Sequence, residues 1–127
     1  MQQQGIATGA VFFPEANQAV GKGFDSRLQR WERFPASLEW HPMAYGICGE
    51  ASCIVNQVQK VLTQAPTGTK VIPVLAGNWG QSTAKRPSLE GQMQALKSLS
   101  PPIQGTSHFS FGWQTPQWER DRKFCQL

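Results

Sequence analysis

Apolar residues gather in four separated runs along the chain. The first is Gly5 to Phe13 (GIATGAVFF), the second surrounds Met43 and Tyr45, the third is Val71 to Gly77, and the fourth runs from Ser107 to Trp113. Val71-Ile72-Pro73-Val74-Leu75-Ala76 is apolar at every position, as a parallel strand covered on both faces should be. Between the second and third runs the period changes. Ile54, Val55, Val58, Val61 and Leu62 recur at i, i+1, i+4, i+7 and i+8, one face of a helix over 51–65 with Asn56, Gln57, Gln59 and Lys60 opposite. Leu89, Met93, Leu96 and Leu99 form a second helical stripe, with Pro87 suited to its first turn and Pro101-Pro102 to its end. Phe24 to Trp31 reads as a further helix capped by Asp25 or Ser26, and Thr115-Pro116 as the opening of a last one.

The order is strand then helix, repeated, with strand ends near 13, 45, 77 and 113, the spacing of βα units of about thirty residues. This pattern predicts an α/β fold of parallel strands, about four βα units in a single domain over 1–127. Four such units make half of a (β/α)8 barrel or a small open sheet. Ligands of parallel sheets bind at the C-terminal strand ends, which nominates Tyr45, Asn78, Trp79 and Trp113, with Gln114 beside the last. A half-barrel leaves two parallel edges and one open face, so self-association through those edges is expected. With an apolar segment so close to its start, the chain reads as the C-terminal part of a longer protein or a truncated copy of one.

Charge narrows the partners. The formal net charge of +4 rests on groups such as Arg27, Arg30 and Arg33, and Arg120, Arg122 and Lys123. Glu32, Glu119 and Asp121 dilute both groups and aromatics do not interleave with them, so solvated helix faces are expected rather than a nucleic-acid interface. No stretch approaches the ~20 apolar residues of a spanning helix, so no membrane partner is expected. The start, Met1-Gln2-Gln3-Gln4-Gly5, has neither a basic nor an apolar leader region, and the chain as written reads as cytoplasmic. Cys48 and Cys53, four residues between them, suit a local disulfide or free thiols. With only His41 and His108 elsewhere, a zinc set is poorly supplied, and neither metal nor cofactor is expected.

Carboxylates and aromatic plates are the tools of carbohydrate chemistry, and glycosidases set two acids roughly 5–10 Å apart. Glu15, just past the first strand, is the best-placed acid; Glu50 follows Tyr45 at some distance, and Glu39 lies too early in its strand to reach the C-terminal face. Trp79 and Trp113 stand where strands give way to loops; core packing explains either one alone as well as stacking on a sugar ring does, but two at equivalent positions favour a binding role. Asn78 and Gln114 offer hydrogen bonds to hydroxyls, and Tyr45 a donor to a substrate oxygen. No G-x-S-x-G nucleophile motif is present, and Gly77-Asn78-Trp79-Gly80 lacks the lysine of a phosphate loop.

The runs Glu39-Trp40-His41-Pro42-Met43-Ala44-Tyr45-Gly46, Val71-Ile72-Pro73-Val74-Leu75-Ala76-Gly77 and Gly105-Thr106-Ser107-His108-Phe109-Ser110-Phe111-Gly112-Trp113 together resemble the C-terminal half of the glycosyl hydrolase-like family 10 proteins, in the form found in cyanobacteria. The resemblance implies a (β/α)8 barrel acting on glycosidic bonds of an oligo- or polysaccharide. It carries Met43, Tyr45, Gly77 to Trp79 and Trp113 over as active-face positions. The acidic D-x-x-R-x-P motif of such barrels has no counterpart here, so the isolated chain is expected to be inactive as a hydrolase. The alternatives are a small non-catalytic carbohydrate-binding α/β module and an inactive truncated remnant.

Overall fold

The computed structural model of the protein describes residues 5–17, 19–20, 23–24, 29–46, 48–76 and 86–109. Its elements are β1 (Gly9–Phe12), β2 (Ala19–Val20), β3 (Gly23–Phe24), β4 (Glu39–Pro42), α1 (Ala51–Gln64), β5 (Lys70–Val71), β6 (Val74–Leu75), α2 (Leu89–Leu96) and β7 (Ser107–His108). β1, β4 and β5 pair in parallel, as do β6 and β7, and a single parallel bridge from Met43 to Val74 joins the two sets. The parallel strands therefore run in chain order across the sheet: β1, then β4, then β5 and β6 in one line, then β7. β2 and β3 form a separate antiparallel pair.

The expected α/β class with parallel strands is present. A closed barrel is not: among the described residues the sheets are open, with β1 and β7 at the edges. The expected four-unit rhythm is filled by two helices, α1 and α2. The helix expected from Phe24 to Trp31 is not formed at either end, because Phe24 is paired in β3 and Trp31 opens a 3-10 turn over Trp31–Arg33. Aromatic burial overrides helical propensity there, since Trp31 is wanted in the core. The helix expected from Thr115 lies outside the described residues.

The registers sort the strand residues by face, since parallel partners point the same way. Ala10, Trp40 and Val71 share one row, and Phe12 pairs with Pro42 on the same face. Beneath them Phe12, Trp31, Trp40, Val61 and Val71 form one core cluster. The Phe12 and Trp31 rings stack at 5.3 Å, and Trp40 meets Phe12 and Trp31 edge-on at 6.0 Å each. Such pairs add about 0.5–1.5 kcal/mol each beyond the area they bury. A second cluster, Ala44, Cys48, Ile54, Val58, Leu75, Leu96 and Leu99, continues the core beneath β6. α1 spans both, giving Val61 to the first and Ile54 and Val58 to the second.

Gly9, Val11, Glu39, His41 and Lys70 occupy the opposite face, and Val11 is 57% exposed there. Two prolines explain why the ladder breaks into short pieces. Proline has no N–H to give. Trp40 O accepts from Ile72 N, so Pro42, two residues on, faces the same neighbour and leaves it without a donor. Pro73 likewise offers β7 only its carbonyl, which takes the Ser107 N–H at 2.9 Å.

Candidate functional site

At the C-terminal strand ends the chain brings together Met43, Tyr45, Arg86 and Phe109. The Met43 N–H donates to Phe12 O at 2.7 Å, which holds the end of β4 in the sheet. The backbone then tightens into a 3-10 turn over Ala44–Gly46 instead of continuing the strand expected to reach Tyr45. Ala44 is buried in the helix-side core, and the next side chain, Tyr45, leaves that core half-buried. The turn is fixed from behind. The Cys48 N–H reaches Tyr45 O at 3.4 Å, and Cys48 is bonded to Cys53 in the first turn of α1. Of the two states expected for these cysteines, the disulfide is the one formed.

Across the sheet, Phe109 N–H donates to Leu75 O at 2.8 Å and extends the pairing one residue past β7. The Phe109 and Tyr45 rings lie nearly parallel, 10° apart with centroids 6.4 Å apart, and Phe109 is 46% exposed. The two rings form a stepped apolar plate at the sheet surface. The Tyr45 hydroxyl donates to Met43 Sδ at 3.6 Å. Burial pushes the phenol pKa up, and the nearby Arg86 charge offsets only part of that, so Tyr45 stays a neutral donor at physiological pH.

Arg86 lies with its guanidinium over the Tyr45 ring, 5.3 Å from the centroid. Its position is set by the start of α2. Ser88 caps that helix, its Oγ accepting the Gly91 N–H at 3.1 Å, so Pro87 stands before the cap and not in the first turn as the sequence suggested. Gln92, wholly buried, donates from Nε2 to Ala76 O at 3.0 Å and to Pro87 O at 2.9 Å. One amide therefore holds both the end of β6 and the entry to α2. The expected stripe of α2 holds at Leu96 and Leu99, which are buried, and at Leu89, which packs against that core; only Met93 departs from it, 42% exposed, with Gln92 buried beside it.

Glu15 lies elsewhere, in a 3-10 turn over Pro14–Asn17 that leans on α1. Lys60 reaches from α1 to Pro14 O at 2.9 Å and Asn17 Oδ1 at 3.1 Å, with its ammonium 5.5 Å above the Trp31 ring. Burial lowers the Lys60 pKa, and the charges of Glu15 and Glu32 oppose that shift. Trp31 Nε1 shares the Pro14 carbonyl at 3.1 Å. Glu15 thus stands just past the C-terminal end of β1, with its charge acting on Lys60 of α1. Asn78, Trp79, Trp113 and Gln114 lie outside the described residues.

The N-terminal end of the open face carries a charged group of its own. Glu39 lies 3.3 Å from His41 Nε2 and 3.6 Å from Lys70 Nζ. Gly9 makes room for it, since a Cβ there would stand 2.7 Å from His41 Nε2. The position of Glu39 early in β4 keeps it at that end, as the sequence suggested. Glu50 occupies the N-cap position of α1 and is exposed.

Phe109 and Arg86 are the site residues that sequence reasoning missed. A period-two reading of Ser107 to Phe111 sends Phe109 towards the core, and its 46% exposure runs against that pattern. Arg86 carries no comparable signal, because its place depends on the buried Gln92. Among the described residues no His, Cys, Asp or Glu side chains gather in threes to hold a metal ion, and no helix is long and apolar enough to cross a membrane. Comparison of the chain with protein-family models, curated proteins and solved structures finds no match.

Proposed function

We propose that the protein is a segment of a glycoside hydrolase-like barrel that supplies a carbohydrate-binding wall and does not cleave glycosidic bonds by itself. The observation that carries this reading is the Tyr45–Phe109 plate at the C-terminal ends of parallel strands laid down in chain order. Sequential order is what successive βα units of a barrel require, and the exposed Phe109 ring beside half-buried Tyr45 at that end is suited to the apolar face of a sugar. The sequence has no D-x-x-R-x-P motif, which supports a binding role over a catalytic one, because glycosidases face two acids across the substrate. A freestanding binding module is the second reading, favoured by the fully buried Trp31 and Trp40, a core that needs no neighbour to form.

Titration of the purified chain with oligosaccharides tests the proposal. Tyr45→Ala is expected to weaken binding about tenfold or more, the loss of one stacking face, while melting shifts only a few degrees. Release of reducing ends by the wild-type chain overturns the non-catalytic part, and undiminished binding by Tyr45→Ala overturns the site.

A further inference from the structure

We infer that the Cys48–Cys53 bond is a thiol-exchange site that regulates the plate: oxidised, it holds Tyr45 against Phe109, and reduced, it lets the Tyr45 turn go. The site regulated is the one the carbohydrate reading above rests on, but the inference concerns the ring contact itself. Tyr45 is held on its two flanks by unlike means. On its N-terminal side the Met43 N–H is fastened to Phe12 O at 2.7 Å within the sheet. On its C-terminal side, among the described residues, the backbone bond from Cys48 N to Tyr45 O is 3.4 Å long, beyond the usual range. The covalent link from Cys48 to Cys53 supplements it. Cys53 lies in the first turn of α1, and α1 is fixed in turn by Ile54, Val58 and Val61 in the core. The turn that carries the plate is thus tied to a packed helix through a bond that chemistry can open.

Two features suit this bond to opening. The sulfurs differ in access, since Cys48 is 4% exposed and Cys53 is only partly buried, so an incoming thiolate has Cys53 to attack. The loop that the bond closes joins residues five apart, and a crosslink over so short a loop removes little chain entropy. The fold rests on its two core clusters instead, so the reduced chain stays folded with a looser turn. Opening takes a dithiol. Its thiolate attacks Cys53 Sγ, and the electron pair of the S–S bond leaves on Cys48 Sγ. The second sulfur of the reductant then displaces Cys53 from the mixed disulfide. Two protein thiols form, each with one of the protons the dithiol gives up, and the dithiol is oxidised to its disulfide.

Tyr45 is the sole tyrosine of the chain, so ring-labelled tyrosine reports the plate alone. The full chain, its remaining cysteine Cys125 blocked by alkylation, is compared by NMR and far-UV circular dichroism before and after treatment with dithiothreitol. The oxidised chain is expected to show the Tyr45–Phe109 ring contact. Reduction is expected to abolish it while the helical signal persists, and reoxidation to restore it. A Tyr45 ring signal that is the same in both states overturns the inference. So does loss of the helical signal on reduction, which would make the bond a staple of the whole fold. The sulfur attacked is read by adding glutathione to the bonded chain, quenching with acid and mapping the adduct by mass spectrometry. Glutathione is expected on Cys53 over Cys48 by about tenfold or more, and equal adducts overturn the assignment of Cys53. No sugar enters these measurements, so their failure leaves the carbohydrate reading standing, and failure to bind oligosaccharides leaves the redox result standing.

Discussion

Glu32 shows how a single side chain acquires its chemistry from its neighbours. Burial alone would raise its pKa, but hydrogen bonds from Asn17 and Arg30 favour the carboxylate and bring it below its ordinary value of 4.5. Asn17 Nδ2 donates to it at 3.0 Å, and the Arg30 Nε–H pairs with its other oxygen. Between the lowered folded value and the unfolded one, the unfolded chain binds more protons, so stability rises with pH across that window. The contribution is complete above about pH 4.5 and disappears as pH falls through the folded value. Glu32→Gln is therefore expected to melt below wild type at pH 7, with the gap closing towards pH 3; a gap that stays constant across the titration would show that the charge of Glu32 contributes nothing. Legibility at this scale was uneven. Tyr45 could be chosen from the sequence because its apolar run was expected to carry it to a C-terminal strand end, and Met43 only through the family resemblance; the strand itself ends at Pro42. Lys60 looked like one solvated residue among the polar positions of α1, because its partners Pro14, Asn17 and Trp31 come from segments far away in sequence.

Among the elements, α1 was the most legible. Its apolar residues repeat on one face, and Ile54, Val58 and Val61 are the ones fully buried. Ile54→Ala is expected to cost about 2–5 kcal/mol in urea unfolding, whereas Asn56→Ala on the exposed side stays within about 0.5 kcal/mol. Similar costs for the two would mean that α1 does not pack as described. α2 was legible as a helix and in the core side of Leu89, Leu96 and Leu99, but not at Met93. A period of apolar residues assigns Met93 to the core, yet Gln92 is the neighbour that is buried, donating to the carbonyls of Ala76 and Pro87. Backbone groups at strand and helix ends must be satisfied, and that demand leaves no mark in a hydrophobic pattern. At the two ends of the segment from Phe24 to Trp31 the expected helix is absent for a related reason. Phe24 is paired in β3, and the Trp31 indole closes the aromatic cluster and donates to Pro14 O.

On the scale of the whole molecule, the parallel α/β character followed from the alternation of strand and helix periods, but closure did not, since a barrel and an open sheet use the same local pattern. The disulfide is the one covalent tie between the Tyr45 turn and α1, linking residues five apart. Chain-entropy arguments assign a loop this short about 2 kcal/mol. Reduction, or paired Cys48→Ser and Cys53→Ser substitution, is expected to lower stability by about that amount while the far-UV signal of the helices persists. An unchanged melting curve under strong reductant would mean that the bond carries no weight in the fold. Such bonds persist in oxidising compartments, which sets the disulfide against the cytoplasmic reading suggested by the N-terminal sequence.

The Gln92 amide has a further consequence. Because one side chain grips the carbonyls of Ala76 and Pro87 together, the end of β6 and the entry to α2 hang on a single amide. Gln92 is thus a keystone: a substitution that removes its amide is expected to release the end of a strand and the start of a helix in one event, where most surface changes would loosen neither.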